Sequence, residues 1–208
     1  MTTFASQVEV YRAAMPLVGA QPPTSINDQS DEAVTAKAGY EMIVRDALTS
    51  HGWSFATKRA TLTLQGETGD SPAYAFQIPP DVLTPRAVLL NKVRFTDYEI
   101  RGGKLLADVD DGIMLLYNFR ADESDWPGDF AKVIVWRLAA YLARGLLDRP
   151  ADADRLEQSA ARQVVIARAR DRNAHRGPEI TPDPKLVSAW RGSRLKSDTL
   201  RTAAKSGT

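Results

Sequence analysis

DFAKVIVWRLAAYLARGLL, residues 129–147, carries apolar side chains almost all the way round a helix. Phe130, Val133, Ile134, Leu138, Tyr141 and Leu142 recur at the three-and-four spacing of one helical face. Val135, Trp136, Ala139, Ala140 and Ala143 make the opposite face hardly more polar, so this helix is expected to be packed on several sides as the central core element. A membrane span is the competing reading. Lys132, Arg137 and Arg144 interrupt the run well short of the roughly 20 apolar residues a bilayer needs, which weighs against it. Asp122, Ser124 and Asp125 before Trp126-Pro127-Gly128 mark the start of the helix as capping residues, and Asp148-Arg149-Pro150 marks its stop.

Working outward, the helical period returns on both sides. Upstream, a helix over residues 3–15 has Phe4, Val8, Tyr11 and Met15 on one side. After the turn-rich passage Gly19 to Ser30, a second helix capped by Ser30 or Asp31 repeats Ala33, Ala36, Tyr40, Ile43 and Ala47. Downstream, a last long helix over residues 152–174 buries Leu156, Ala160, Val164 and Ala167 and carries Arg155, Arg162, Arg168, Arg170 and Arg172 elsewhere on its surface. Between residues 53 and 120 the period changes to that of strands: residues 61–64, 74–78, 87–95, 98–100, 104–107 and 113–119. Glu99 to Leu105 is the clearest hairpin, because Gly102-Gly103 supplies the positive φ values of a tight turn. The expectation is α+β, mainly α: a bundle of about four helices with an inserted small antiparallel sheet and an extended tail. In domain terms, residues 1–174 form one body, helical over 3–51 and 128–174 with the β insertion at 53–120, and 175–208 form a basic C-terminal tail. Trp53, Phe55, Phe130, Ile134, Leu138 and Leu142 are the expected core.

The chain has 208 residues, 43% of them hydrophobic, enough for a substantial core. It has no cysteine, which removes disulfides, thiolate metal sites and a cysteine nucleophile. The first residues lack a basic leader and a continuous apolar run, so synthesis in the cytoplasm is expected. Net charge is +1 but unevenly spread: from Ala151 onward 12 Lys and Arg stand against 7 Asp and Glu, on a mildly acidic body. Such a basic appendage points to a binding partner.

Chemistry-bearing motifs are sparse. His51 and His175 are the only histidines and are widely separated in the chain, so no two-histidine metal site within one chain is expected. Asp108-Val109-Asp110-Asp111-Gly112 has its glycine one place early for a calcium loop, and Phe119 stands where the closing glutamate belongs, so a hairpin turn is expected. Gly66-Glu67-Thr68-Gly69 lacks the lysine and hydroxyl of a phosphate loop. No catalytic, cofactor or metal residue is assigned, and an enzyme is not expected.

Several segments taken together resemble the head–tail adaptor proteins of tailed phages, particularly the tail tubular protein A family of short-tailed phages. They are Leu17-Val18-Gly19 with Pro22-Pro23, the block His51-Gly52-Trp53-Ser54-Phe55-Ala56-Thr57-Lys58-Arg59-Ala60-Thr61-Leu62, and Ile78-Pro79-Pro80-Asp81. Tyr98 to Leu106 and the Phe130 to Leu147 helix follow. The resemblance covers residues 4–174 and implies a virion protein assembled in the host cytoplasm. It also implies a ring of about twelve identical subunits, closed by a heterologous interface, under the portal. Its partners would be the portal and a tail protein (tube, nozzle or stopper), with transient contact with passing DNA, no cofactor and no membrane. Leu186, Trp190, Arg191, Arg194 and Leu195, an apolar anchor flanked by arginines, are the expected portal contact. Arg155, Arg162, Arg168 and Arg172 are the expected subunit interface, and the loops 66–72 and 101–104 the expected tail contacts. The alternative is a nucleic-acid-binding protein that uses the arginine-rich last helix and the tail.

Overall fold

Helix α3, Gly128–Gly145, lies at the centre of the helical body. The structure, a computed structural model, describes residues 4–174. Phe130, Ile134, Leu138 and Leu142 are buried, and so are Val135, Ala139 and Ala143 on the other face, as an all-round apolar helix requires. Against it pack α1, Gln7–Ala14, continued by a short 3₁₀ turn Met15–Val18, and α2, Asp31–Thr49. Helix α2 buries Ala33, Ala36, Tyr40, Ile43, Val44, Ala47 and Leu48, while Asp31 and Glu32 complement the dipole of its first turn. At Gly39 the approach to α3 is so close that a Cβ would stand 2.5 Å from the Tyr141 ring. Helix α4, Pro150–Ala174, buries only Ala153, Ala160, Gln163 and Ala167, a narrow stripe. Among the described residues no helix is long and apolar enough to cross a membrane.

Between α2 and α3 the chain forms eight strands: β1 Thr57–Thr61, β2 Thr63–Glu67, β3 Tyr74–Gln77, β4 Val82–Leu90, β5 Val93–Phe95, β6 Tyr98–Arg101, β7 Lys104–Ala107 and β8 Ile113–Phe119. They make two four-stranded antiparallel sheets, ordered β1-β8-β4-β5 and β2-β3-β7-β6. This corrects the expected architecture. The protein is not mainly a helical bundle with one small sheet; it is a sheet-rich α+β protein whose β part has its own core. Phe76 and Leu105 from one sheet meet Val88, Ile113, Leu115 and Tyr117 from the other in that core. Leu62 is the residue at which β1 passes into β2 and the chain changes sheets; it is buried in the same core, and its N–H donates to the Ile113 carbonyl at 2.9 Å.

Two local expectations change with the sheets. Asp108 to Gly112 is not a hairpin turn: β7 and β8 belong to different sheets, so this loop crosses between them. Asp108 instead accepts a hydrogen bond from the Ala73 N–H at 2.7 Å. The apolar run 87–95 is not one strand but the β4–β5 hairpin, turned at Asn91 and Lys92 with φ of 50° and 70°. The Gly102-Gly103 hairpin is present, with φ of 58° and 74° and Arg101 opposite Lys104.

Candidate functional site

The block from His51 to Leu62, singled out in the sequence, builds the joint between helices and sheets. Trp53 is buried, and its ring meets Phe130 edge-on at 5.1 Å; Phe55, half-buried, meets Phe130 at 5.0 Å, and Trp126 closes the cluster at 5.3 Å. The Trp53 and Trp126 indole N–H groups donate to the Ala47 and Ala121 carbonyls, so the cluster carries no unpaired indole. Asn118, fully buried in β8, donates from Nδ2 to the carbonyls of Leu48 at 2.6 Å and His51 at 2.8 Å. A bulge in β4 between Pro85 and Ala87 leaves Arg86 out of the ladder, and its side chain turns to Asn118 Oδ1 and to the Thr49 carbonyl. The last carbonyls of α2, which no helix turn can satisfy, thus receive donors from the sheet.

Ser54, Asp171 and His51 also meet here. The Ser54 hydroxyl and N–H both donate to Asp171, while His51 Nε2 stands 3.8 Å from the same carboxylate. The hydroxyl is bonded to the carboxylate and not to the imidazole, so the arrangement fastens α4 to the α2–β1 connection instead of activating a nucleophile. Burial, and then the Arg168 guanidinium, push the His51 pKa below its ordinary value; Asp171 opposes them without prevailing.

Glu123 lies between two of the expected α3 caps, Asp122 and Ser124, and is held by partners away from the helix start. Its carboxylate accepts hydrogen bonds from Tyr40 at 2.7 Å and Arg120 at 2.6 Å, and α3, with Pro127 at its N-cap position, has no side-chain cap. Burial alone would raise the Glu123 pKa, but those two donors outweigh it and hold it below the carboxylate range. Burial beside Glu123 raises the Tyr40 hydroxyl, and the neighbouring Tyr11, whose ring meets Tyr40 edge-on at 5.4 Å, is raised to about 12.

A groove of about 640 Å³ runs between α2 and α4 with α3 as its floor. Met42 and Ile43 form one wall, Tyr141 the floor, and Ala160 and Ala161 the other wall. Its rim is charged: Arg137 pairs with Asp46, and Arg144 with Asp154 at 2.8 Å and Glu157 at 3.0 Å. A smaller cleft lies where Leu17 and Val18 face Leu156 and Arg155. Among the described residues no cluster of three or more acidic or histidine side chains could hold a metal ion.

The four arginines expected at a subunit interface do not form one patch. Arg155 pairs with Asp152 of its own helix, and Arg162 is exposed with no ion pair among the described residues. Arg168 turns inward to the Ser50 carbonyl at 3.0 Å and leaves its Nε buried without a partner, while Arg172 Nε reaches the Arg168 carbonyl. Leu186, Trp190, Arg191, Arg194 and Leu195 lie outside the described residues. The loops 66–72 and 101–104 are not brought together: register puts Glu67, Tyr74 and Ala107 at one end of their sheet and Gln77, Lys104 and Arg101 at the other. Nothing in the sequence marked the groove or Asn118, although an asparagine within the apolar strand IMLLYNF was a signal of a buried polar joint. A scan against models of known protein families and a search of curated proteins find no match to this chain.

Proposed function

We propose that this chain is a head–tail adaptor: a ring of about twelve copies, closed by heterologous contacts, that joins the portal of a tailed-phage-like particle to its tail and lets DNA pass. The observation that carries the reading is where the family-like segments fall. Trp53 and Phe55 of the 51–62 block sit on Phe130 of the central helix. Asp81 of the Ile78-Pro79-Pro80-Asp81 segment accepts from Lys58 at 3.0 Å and from Tyr117 at 3.1 Å, tying the block to the sheets. Segments far apart in the chain thus build one joint between a helical body and a β body. A subunit with a helical part and a β part, each with its own core, can offer a different part to each of two unlike partners, as a connector needs.

The portal contact falls to Leu186, Trp190 and Leu195 with Arg191 and Arg194. The competing nucleic-acid reading loses force because Arg155 and Arg170 are paired with Asp152 and Asp129, and Arg168 is turned to a carbonyl. A phosphate backbone would meet mainly Arg162 and Arg172 on this helix. Titration of the portal protein against the full chain, against Trp190→Ala and against a chain ending at Ala174 tests the proposal. Portal binding that weakens about tenfold or more for both altered chains supports it. Equal binding by all three removes the tail from the account. No portal binding, with steeply salt-dependent affinity for random duplex DNA, overturns the adaptor reading.

A further inference from the structure

The outer faces of the two sheets are built differently. Val88, Ile113, Leu115 and Tyr117 point into the β core, so the alternate residues of their strands point outward. Register sets these in two rows on the outside of the β1-β8-β4-β5 sheet: Arg59–Leu116–Ala87, and Thr61–Met114–Leu89–Arg94. Asn118 begins the next row, and the end of α2 lies over it. Ala87, Leu89, Met114 and Leu116 are only half-buried and belong to neither the helical core nor the β core. On the outside of the other sheet the apolar Ala75 and Leu106 are buried, and Gln77, Glu99, Arg101 and Lys104 leave a polar surface. One outer face is finished for water, while the other keeps an apolar centre.

The charges of that second face are one-sided. Strands β1, β4, β5 and β8 contain no aspartate or glutamate, but do contain Lys58, Arg59, Arg86 and Arg94. Lys58 pairs with Asp81, and Arg86 is held by Asn118 and the Thr49 carbonyl. Arg59 and Arg94, exposed on the two edge strands, have no ion pair among the described residues.

We infer that the outer face of the β1-β8-β4-β5 sheet is the docking surface for an acidic amphipathic helix of a partner protein. The edge strands stand about 14 Å apart across the sheet, and a helix is about 10 Å wide. One helix therefore covers Leu89, Met114 and Leu116 with its apolar stripe, and carboxylates on its two flanks reach Arg59 and Arg94. It continues over the open rows the helical layer that the end of α2 begins over Asn118. A nucleic acid would satisfy the arginines but leave the apolar rows without a partner, and neither row holds an aromatic ring for a base to stack on. The inference does not rest on the adaptor reading.

The probe is a labelled peptide of about 18 residues, long enough to hold a helix, with leucine along one face and glutamate along both flanks. Two control peptides carry lysine for every glutamate, or serine for every leucine. In fluorescence anisotropy the full chain binds the first peptide about tenfold or more tighter than either control. Arg59→Glu with Arg94→Glu reverses the preference between glutamate and lysine; both positions are exposed, and circular dichroism with an unchanged melting curve verifies the fold. The same charge change on the helical body, Lys132→Glu with Arg162→Glu, leaves the preference as it was. The inference is overturned if the wild type prefers neither charge, if the serine peptide binds as well, or if the Arg59 and Arg94 reversal changes nothing. Two further results overturn it by naming another occupant. Random duplex DNA that binds the wild type tighter than the glutamate peptide, and loses that binding in the Arg59→Glu, Arg94→Glu chain, makes the face a nucleic-acid surface. Self-association in sedimentation velocity that the same reversal abolishes makes the occupant a second copy.

Discussion

Arg86 Nε donates to Asn118 Oδ1 at 3.0 Å, and this fixes the Asn118 amide so that its protons point at the carbonyls of Leu48, in α2, and of His51, just beyond the helix end. The joint between helices and sheets therefore depends on one fully buried side chain. Asn118→Leu keeps the volume but strands the Leu48 and His51 carbonyls and the Arg86 guanidinium. The expected loss is about 3 kcal/mol, read as a lowered denaturant midpoint at unchanged slope. A loss within experimental error would mean that water satisfies the α2 terminus.

Gly39 and Tyr141 define the closest approach of α2 to α3. Alanine is the better helix former by about 1 kcal/mol, yet Gly39→Ala is expected to destabilise by roughly 1–3 kcal/mol, because the new methyl meets the Tyr141 ring at 2.5–2.8 Å. In a Tyr141→Ala background the same change is expected to reverse sign. Additive effects in that double-mutant cycle would contradict the contact.

At the β4–β5 turn, Lys92 holds a φ of 70° that favours glycine. Lys92→Gly creates the Asn-Gly pair that two-residue hairpins prefer, and should stabilise by about 0.5–1 kcal/mol, measured as a raised melting temperature. An unchanged or lowered value would show that the lysine side chain earns its place by a contact elsewhere.

His51 makes stability depend on pH near neutrality. Its folded pKa lies below the ordinary value near 6.5, so the unfolded chain binds the extra proton first as pH falls. Stability is full above that ordinary value and declines as pH drops through the window between it and the lowered folded value. Glu123, also depressed, adds a second loss only further down, below the ordinary carboxylate pKa. Melting temperature is thus expected to fall between about pH 7 and 5 in the wild type, and to stay flat there in His51→Gln. Equal slopes for the two proteins would assign the dependence to another group.

The helical core was legible because α3 is apolar on every side and its neighbours keep a helical period; Phe130, Ile134, Leu138 and Leu142 are all buried as expected. The Gly102-Gly103 turn was legible because only positive φ suits that dipeptide in a hairpin. The second sheet was not. Strands β1, TKRAT, and β2, TLQGE, are edge strands whose outward residues are polar, so neither shows a clean alternation. Which strands share a sheet depends on the crossing at Leu62 and at Asp108 to Gly112, and nothing local encodes that partition. Arg168 misled for a related reason: an arginine on a polar helix reads as surface, but the backbone of Ser50 lies within its reach.

Electron microscopy of the full chain mixed with the portal protein of the same particle tests the central claim most directly. The adaptor account predicts closed rings attached to one end of the portal, with the channel continuous through both. Monomers that leave the portal bare and coat duplex DNA instead would contradict it.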